Sequence, residues 1–383
     1  MMIYFVEPNK RGDAHTVINA CMLAILAKSE EVRFFGSRPH IEGIKKLIPA
    51  DLGVQFSAMQ VIDGSAKSWI FKESLEMYNL LRLLAKAKRK GVRFVFISSV
   101  FPMALYFLKV IRRMFPGVKI IIGLHGELEF VRKDKERKLR FLGFFLKKAF
   151  RLGGDANSKY LIYGESIRLN LVHEGLLREE EIIVIDHPYL YKVRDSAADG
   201  SLHSPLRFGS IGLATLNKRT HLIFKLAEAL KDAINEKRVA FSIVGRLLGE
   251  LDAYSNEYVS YSKEGKHMDR QAFDKGIDSL DYSLYFYDNS FYQLSASGAL
   301  FDAISFEKPI LALYNDYFAF YFKRLGPIGY LFEDLKGMED KIASIINGEC
   351  GEEYAEMTAN MRNAKKLLSN DTISEEFWRQ VDF

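Results

Sequence analysis

Residues 281–312, DYSLYFYDNSFYQLSASGALFDAISFEKPILA, decide how this chain is read. The aromatic-rich residues 283–287 predict a strand, and the run from Pro309 predicts another. Between them Ser295-Ala296-Ser297-Gly298 is a small-residue turn, from which a helix is expected to start near Ala299. Small residues let a backbone approach a ligand closely. A new helix N-terminus turns unpaired N–H groups and the positive end of its dipole toward phosphate. Asp302, one turn into that helix, is placed to accept hydrogen bonds from a ribose. This is the layout of a nucleotide diphosphate site, although a βαβ connection without a ligand has the same pattern.

Short apolar runs alternate with helical patterns along the rest of the chain, which predicts α/β layers built on parallel sheets. In the first half strands are expected at 2–6, 32–35, 94–98, 119–123, 160–163 and 182–185, with helices at 16–28, 75–90 and 103–114. The polar segment YKVRDSAADGSLHSP (191–205) is the best linker. A second series follows, with strands at 206–212, 239–245, 283–287 and 309–313 and a helix at 221–232. Near the end, Thr372-Ile373-Ser374-Glu375 is expected to cap a last helix carrying Phe377 and Trp378.

Bulk properties narrow the class. A chain of 383 residues suits two domains better than one core. With 48% hydrophobic and 27% charged residues it is globular rather than disordered. A net charge of +5 permits anionic partners without requiring nucleic acid. Cys21 and Cys350 stand far apart without metal-ligand spacing, so neither a zinc site nor a disulfide framework is expected. The opening MMIYFVEPNKRGDAH reads as a buried strand and not as a secretion signal. No apolar run reaches the roughly 18 residues of a membrane span, so a cytoplasmic location is expected.

The stretch LFDAISFEKPILA resembles the LLEAMACGKPVIA segment of glycosyltransferases with the GT-B fold, within the large retaining group that carries a Glu-x7-Glu motif. The resemblance implies two Rossmann-like domains facing across a cleft: an acceptor domain at 1–190, a linker at 191–205, and a nucleotide-sugar-binding domain at 206–368. A terminal helix at 369–383 would cross back to the first domain. It implies metal-independent transfer from a nucleoside-diphosphate sugar, with no further cofactor, to a glycan or lipid-linked acceptor in cell-surface polysaccharide or glycoconjugate synthesis. Asp302 falls on the second glutamate, the ribose ligand, whereas Leu294 stands where the first would be. A sugar-nucleotide epimerase and a non-catalytic binding subunit share the fold and remain alternatives.

Residues following the strands are the site candidates, because open α/β sheets bind at the carboxyl ends of their strands. After the first strand, Asp13 or His15 is positioned as a base, with helix capping as the alternative role of Asp13. His125-Gly126 matches the family's sugar-facing histidine, and Glu127 is a further base candidate. Lys218 and Arg219 are expected at a helix start, where cations are disfavoured unless an anion is bound. They would neutralise the leaving diphosphate. Arg246 lies on the donor side, and the turn residues Ser295, Ser297, Gly298 and Ala299 would support the phosphates. Residues 134–151, DKERKLRFLGFFLKKAFR, form a basic amphipathic helix, which suits either an anionic membrane surface or ordinary packing on a sheet.

Overall fold

The computed structural model describes residues 1–12, 14–62, 69–132, 137–153, 156–192, 202–262, 268–349 and 351–381. Asp13, Cys350, residues 134–136 and linker residues 193–201 lie outside the described residues. The described strands form two sheets, every pair of them parallel. In the first sheet β1 (Met2–Val6), β2 (Glu31–Gly36), β3 (Gln55–Ala58), β4 (Val95–Ile97), β5 (Ile120–Leu124), β6 (Ser158–Tyr163) and β7 (Ile182–Ile185) lie in the order β3-β2-β1-β4-β5-β6-β7. In the second, β8 (Leu206–Ile211), β9 (Val239–Val244), β10 (Val259–Tyr261), β11 (Tyr282–Tyr285), β12 (Ile310–Leu313) and β13 (Gly329–Phe332) lie in the order β10-β9-β8-β11-β12-β13.

The sequence of the inner strands explains this arrangement. VFI in β4, IIIGL in β5 and ILAL in β12 are buried at every position. Helices on both faces of a parallel sheet favour such unbroken apolar runs over alternation. Strand order reverses direction beside β1 in one sheet and beside β8 in the other. Ligands of open α/β sheets gather at such points. The loops leaving β1 and β4, and those leaving β8 and β11, therefore flank the two reversal points.

Two compact units divide the chain. The first comprises Met1–Leu190, Leu294–Ala296 and Leu368–Phe383, and the second Tyr191–Gln293 and Ser297–Leu367. The helix Asn370–Gln380 packs into the first, with Ile373 and Phe377 fully buried in its core. Gln380 bonds both backbone groups of Val184, at 2.9 and 2.8 Å. The expected capping box at Thr372 is displaced by one turn, because Ser369 is the N-cap and accepts from the Thr372 N–H at 3.3 Å. A second correction concerns Lys218 and Arg219. The helix opens at Leu222, and both cations precede it in a turn, where Arg219 is left-handed at φ 54°.

Candidate functional site

In the first unit the chain leaving β1 places a carboxylate beneath the loop. Glu7 is fully buried. Its Oε1 accepts from the Asn9 and Lys10 N–H groups at 3.2 Å each and from Ser99 Oγ at 2.9 Å. Its Oε2 accepts from Asn19 Nδ2 at 3.1 Å. Ser98 Oγ donates in turn to Asn19 Oδ1, and His40 stands 2.9 Å from Asn19 Nδ2. Burial alone would raise the Glu7 pKa. The His15 contact, with the charges of Lys10 and His40, instead holds this carboxyl well below the usual range.

Rings stack above this network. His15, left-handed at φ 66°, places Nδ1 3.6 Å from Glu7 Oε2, and its ring centroid lies 4.4 Å from that of His125. His125 stacks on Tyr163 at 4.7 Å, and Tyr163 meets His187 at 5.7 Å. His125 Nε2 donates to the Ser98 carbonyl at 2.9 Å. Burial, with His15 and His187 nearby, pulls the His125 pKa well down, so its imidazole is neutral. Glu127 accepts from the His125 backbone N–H at 2.9 Å, and burial raises its pKa. Leu294, at the position of the family's first glutamate, is fully buried, and its N–H donates to Glu129 Oε1 at 2.6 Å. Ser295 is buried in the same unit.

The second unit carries the cation of interest. Lys218 is half-buried, with Nζ 5.7 Å from the centre of the Tyr287 ring. Burial draws its pKa down to about 8, against the opposing charge of Asp302. Tyr287 Oη lies 2.9 Å from Ser297 Oγ. Ser297 is the N-cap of the helix Gly298–Ser305, yet its side chain makes no capping hydrogen bond. The Leu300 N–H donates to the Ser297 carbonyl at 3.2 Å, and no side-chain cap covers the N–H groups before it, at the end of the helix that favours an anion. Gly212, which follows β8, lies against Ala299, since a Cβ built on it would stand 3.9 Å from the alanine Cβ. Asp302 is part-buried and 3.8 Å from the Arg270 guanidinium.

The structure separates the two adjacent cations. Arg219 is bound to Asp288 at 2.5 Å, so its charge is already answered, while Lys218 stands near Asp302. Arg246, which follows β9 and Gly245, is exposed. Among the described residues, no group of His, Cys, Asp or Glu side chains converges to hold a metal ion. Sequence reasoning missed Glu7. Its signal is an acid directly after a buried strand, at the point where the strand order reverses.

No protein-family model matches the chain, and no curated protein matches it in sequence. Solved structures do match its fold. HepE from Anabaena, solved with UDP-glucose, is 15% identical with a TM-score of 0.65, covering 100% of this chain and 99% of its own. Sucrose-phosphate synthase from Thermosynechococcus elongatus is 11% identical with a TM-score of 0.68, covering 100% and 99%. WaaG, a glycosyltransferase of lipopolysaccharide biosynthesis, is 12% identical with a TM-score of 0.62, covering 98% of each chain. The fold is that of the GT-B glycosyltransferases.

Proposed function

We propose that this protein is a glycosyltransferase that takes a nucleoside-diphosphate sugar in its second unit and a glycan or lipid-linked acceptor in its first. One observation carries the reading: half-buried Lys218 lies with Asp302 and the uncapped start of Gly298–Ser305 in one compact unit. Burying a lysine is costly; the charge of Asp302 offsets that only in part, since the Lys218 pKa is still drawn down, and a diphosphate would supply a further anionic partner. Lys218 and the helix N–H groups would hold the phosphates, and Asp302 the ribose. The cation would then stabilise the charge that grows on the leaving diphosphate. The fold neighbours support the same donor class, since HepE was solved with UDP-glucose.

A thermal-shift screen of UDP-, GDP- and ADP-sugars tests the donor class. A ligand at a hundred times its Kd stabilises by about 2.7 kcal/mol, so one nucleotide-sugar is expected to raise the Tm by several degrees. If none of them moves it, the donor reading fails. Nucleotide release that requires an added acceptor extract distinguishes transfer from an epimerase and from a binding subunit.

The acceptor is proposed to be membrane-linked, in polysaccharide or glycoconjugate synthesis, with the protein peripheral on the cytoplasmic face. The helix Arg137–Arg151 supports this. Leu142, Leu146, Ala149 and Phe150 face the core, but Phe141 (43% exposed) and Phe144 (52% exposed) point outward among Arg137, Arg140, Lys147, Lys148 and Arg151. Exposed aromatics among cations suit an anionic interface, at about 1 kcal/mol per basic side chain. The protein is expected to float with anionic vesicles at low salt and to leave them at high salt. Phe141→Ser with Phe144→Ser should weaken that binding. Indifference to anionic vesicles at low salt would favour a soluble acceptor.

A further inference from the structure

In the first unit the helices Trp69–Lys90, Pro102–Ile111 and Arg137–Arg151 form one layer, with Pro102–Ile111 packed against both of the others. Together with the short turn Arg112–Met114 they contain 15 basic residues and only two acids, Glu73 and Glu76. Both acids are buried, whereas 11 of the basic side chains are exposed. The whole chain carries only +5, so the remainder outside this layer is net acidic. Such a separation of charge draws an anionic surface to one face of the unit.

The buried acids have a local cause. Phe101 offers no capping oxygen to the start of Pro102–Ile111. Glu76 Oε1 accepts instead from the Phe101 N–H at 3.2 Å, and Glu73 Oε2 from the Ala104 N–H at 3.0 Å. Carboxylates suit a helix N-terminus, and these two fix the rotation of Trp69–Lys90 about its own axis. At about 100° per residue, Phe71 and Tyr78 then fall nearly opposite them. Ile70, Phe71 and Tyr78 are accordingly 56%, 72% and 54% exposed. Arg82 continues the stripe with its guanidinium 5.5 Å from the centre of the Tyr78 ring, and exposed Arg89 extends it. A helix that buries its carboxylates and presents its aromatics reverses the ordinary surface pattern.

We propose that the start of Trp69–Lys90 is a lipid-insertion element: Ile70, Phe71 and Tyr78 enter the interface of a net-anionic bilayer, and the cations of the three helices hold its headgroups. It rests on the membrane reading of Arg137–Arg151 and moves the principal contact to another helix. Helices that join parallel strands run back against them, so their first turns lie at the strand-exit edge of the sheet. Ile70 and Phe71 stand there, and Phe141 and Phe144 are near the start of their own helix. Exposed apolar side chains on separate helices, each among cations, match an extended anionic surface. A second copy presenting the same face would be repelled by like charge.

Phosphatidylcholine vesicles with and without phosphatidylglycerol are the probe, and cosedimentation of the full chain is the readout. The wild type is expected to bind only the vesicles that contain phosphatidylglycerol. Phe71→Ser with Tyr78→Ser should weaken that binding by about tenfold or more. Its urea midpoint should stay at the wild-type value, because both side chains are exposed. Arg82→Glu with Arg89→Glu should also weaken binding and flatten its salt dependence. Wild-type vesicle affinity in the Phe71 and Tyr78 double variant, with loss in Phe141→Ser with Phe144→Ser, would overturn the insertion element and leave the membrane reading of Arg137–Arg151 standing. A wild type that binds neither vesicle would remove both. Self-association without lipid that the Phe71 and Tyr78 double variant abolishes would show that a second copy covers the stripe, and that too would overturn it.

Discussion

Lys218→Met is expected to lower kcat/KM by about 10³-fold and to weaken nucleotide-sugar binding at least about tenfold, or roughly 1.4 kcal/mol. Methionine keeps an unbranched apolar stem one atom shorter than lysine's, so the loss reports chiefly on the charged group. The adjacent Arg219 provides the internal comparison. Its guanidinium is held by Asp288 at 2.5 Å, so Arg219→Ala should change donor affinity far less. Calorimetric titration of both variants with the donor identified by thermal shift makes the comparison. Equal losses would mean that both cations reach the diphosphate, and no loss in Lys218→Met would remove this lysine from the site.

The same lysine predicts a pH dependence of definite sign. Burial lowers its pKa from 10.5 to about 8, so the cation is present below pH 8 and is lost as pH rises through it. Donor affinity should fall over that window. The stability of the ligand-free protein should move the other way between about pH 8 and 10.5, because the unfolded chain then binds more protons than the folded one. Lys218→Met should flatten both trends. Affinity that stays level from pH 7 to 9 would contradict the assignment.

How far the sequence could be read depends on where each residue's partners lie. The inner strands β4, β5 and β12 were legible because a parallel sheet covered on both faces leaves unbroken apolar runs. The edge strands β3 and β10 and the edge strand β13 were not. QFSA in β3 has no fully buried position, and VSY in β10 has one. The turn at Ser295–Gly298 and the helix after it were legible from small residues alone. The difference between Lys218 and Arg219 was invisible, because Asp288, which answers only one of them, lies 69 residues downstream of Arg219. Glu7 escaped for a similar reason. The groups that hold it come from positions 9, 10, 19 and 99, and no local pattern announces their convergence.

Gly245→Ala is expected to destabilise the protein by about 3 kcal/mol or more and to abolish donor stabilisation with it. Gly245 follows β9 at φ 140°, which strains any other residue. A Cβ there would lie 2.2 Å from the Gly212 carbonyl oxygen and 2.7 Å from its carbon. Both obstacles are backbone, so no side chain can swing aside. Relief requires moving the loop after β8, and that loop lies against Ala299 at the start of the proposed phosphate helix. Strain at Gly245 therefore reaches the site through one covalent segment. Gly298→Ala serves as the control. Its Cβ would meet nothing within 4 Å, and alanine favours the helix, so this variant should fold as the wild type does. Urea unfolding of the two variants, followed by donor thermal shift, separates the outcomes. A Gly245→Ala protein with wild-type stability would show that β8 and β9 do not press together at their carboxyl ends, and the geometry assigned to the phosphate site would fall with that contact.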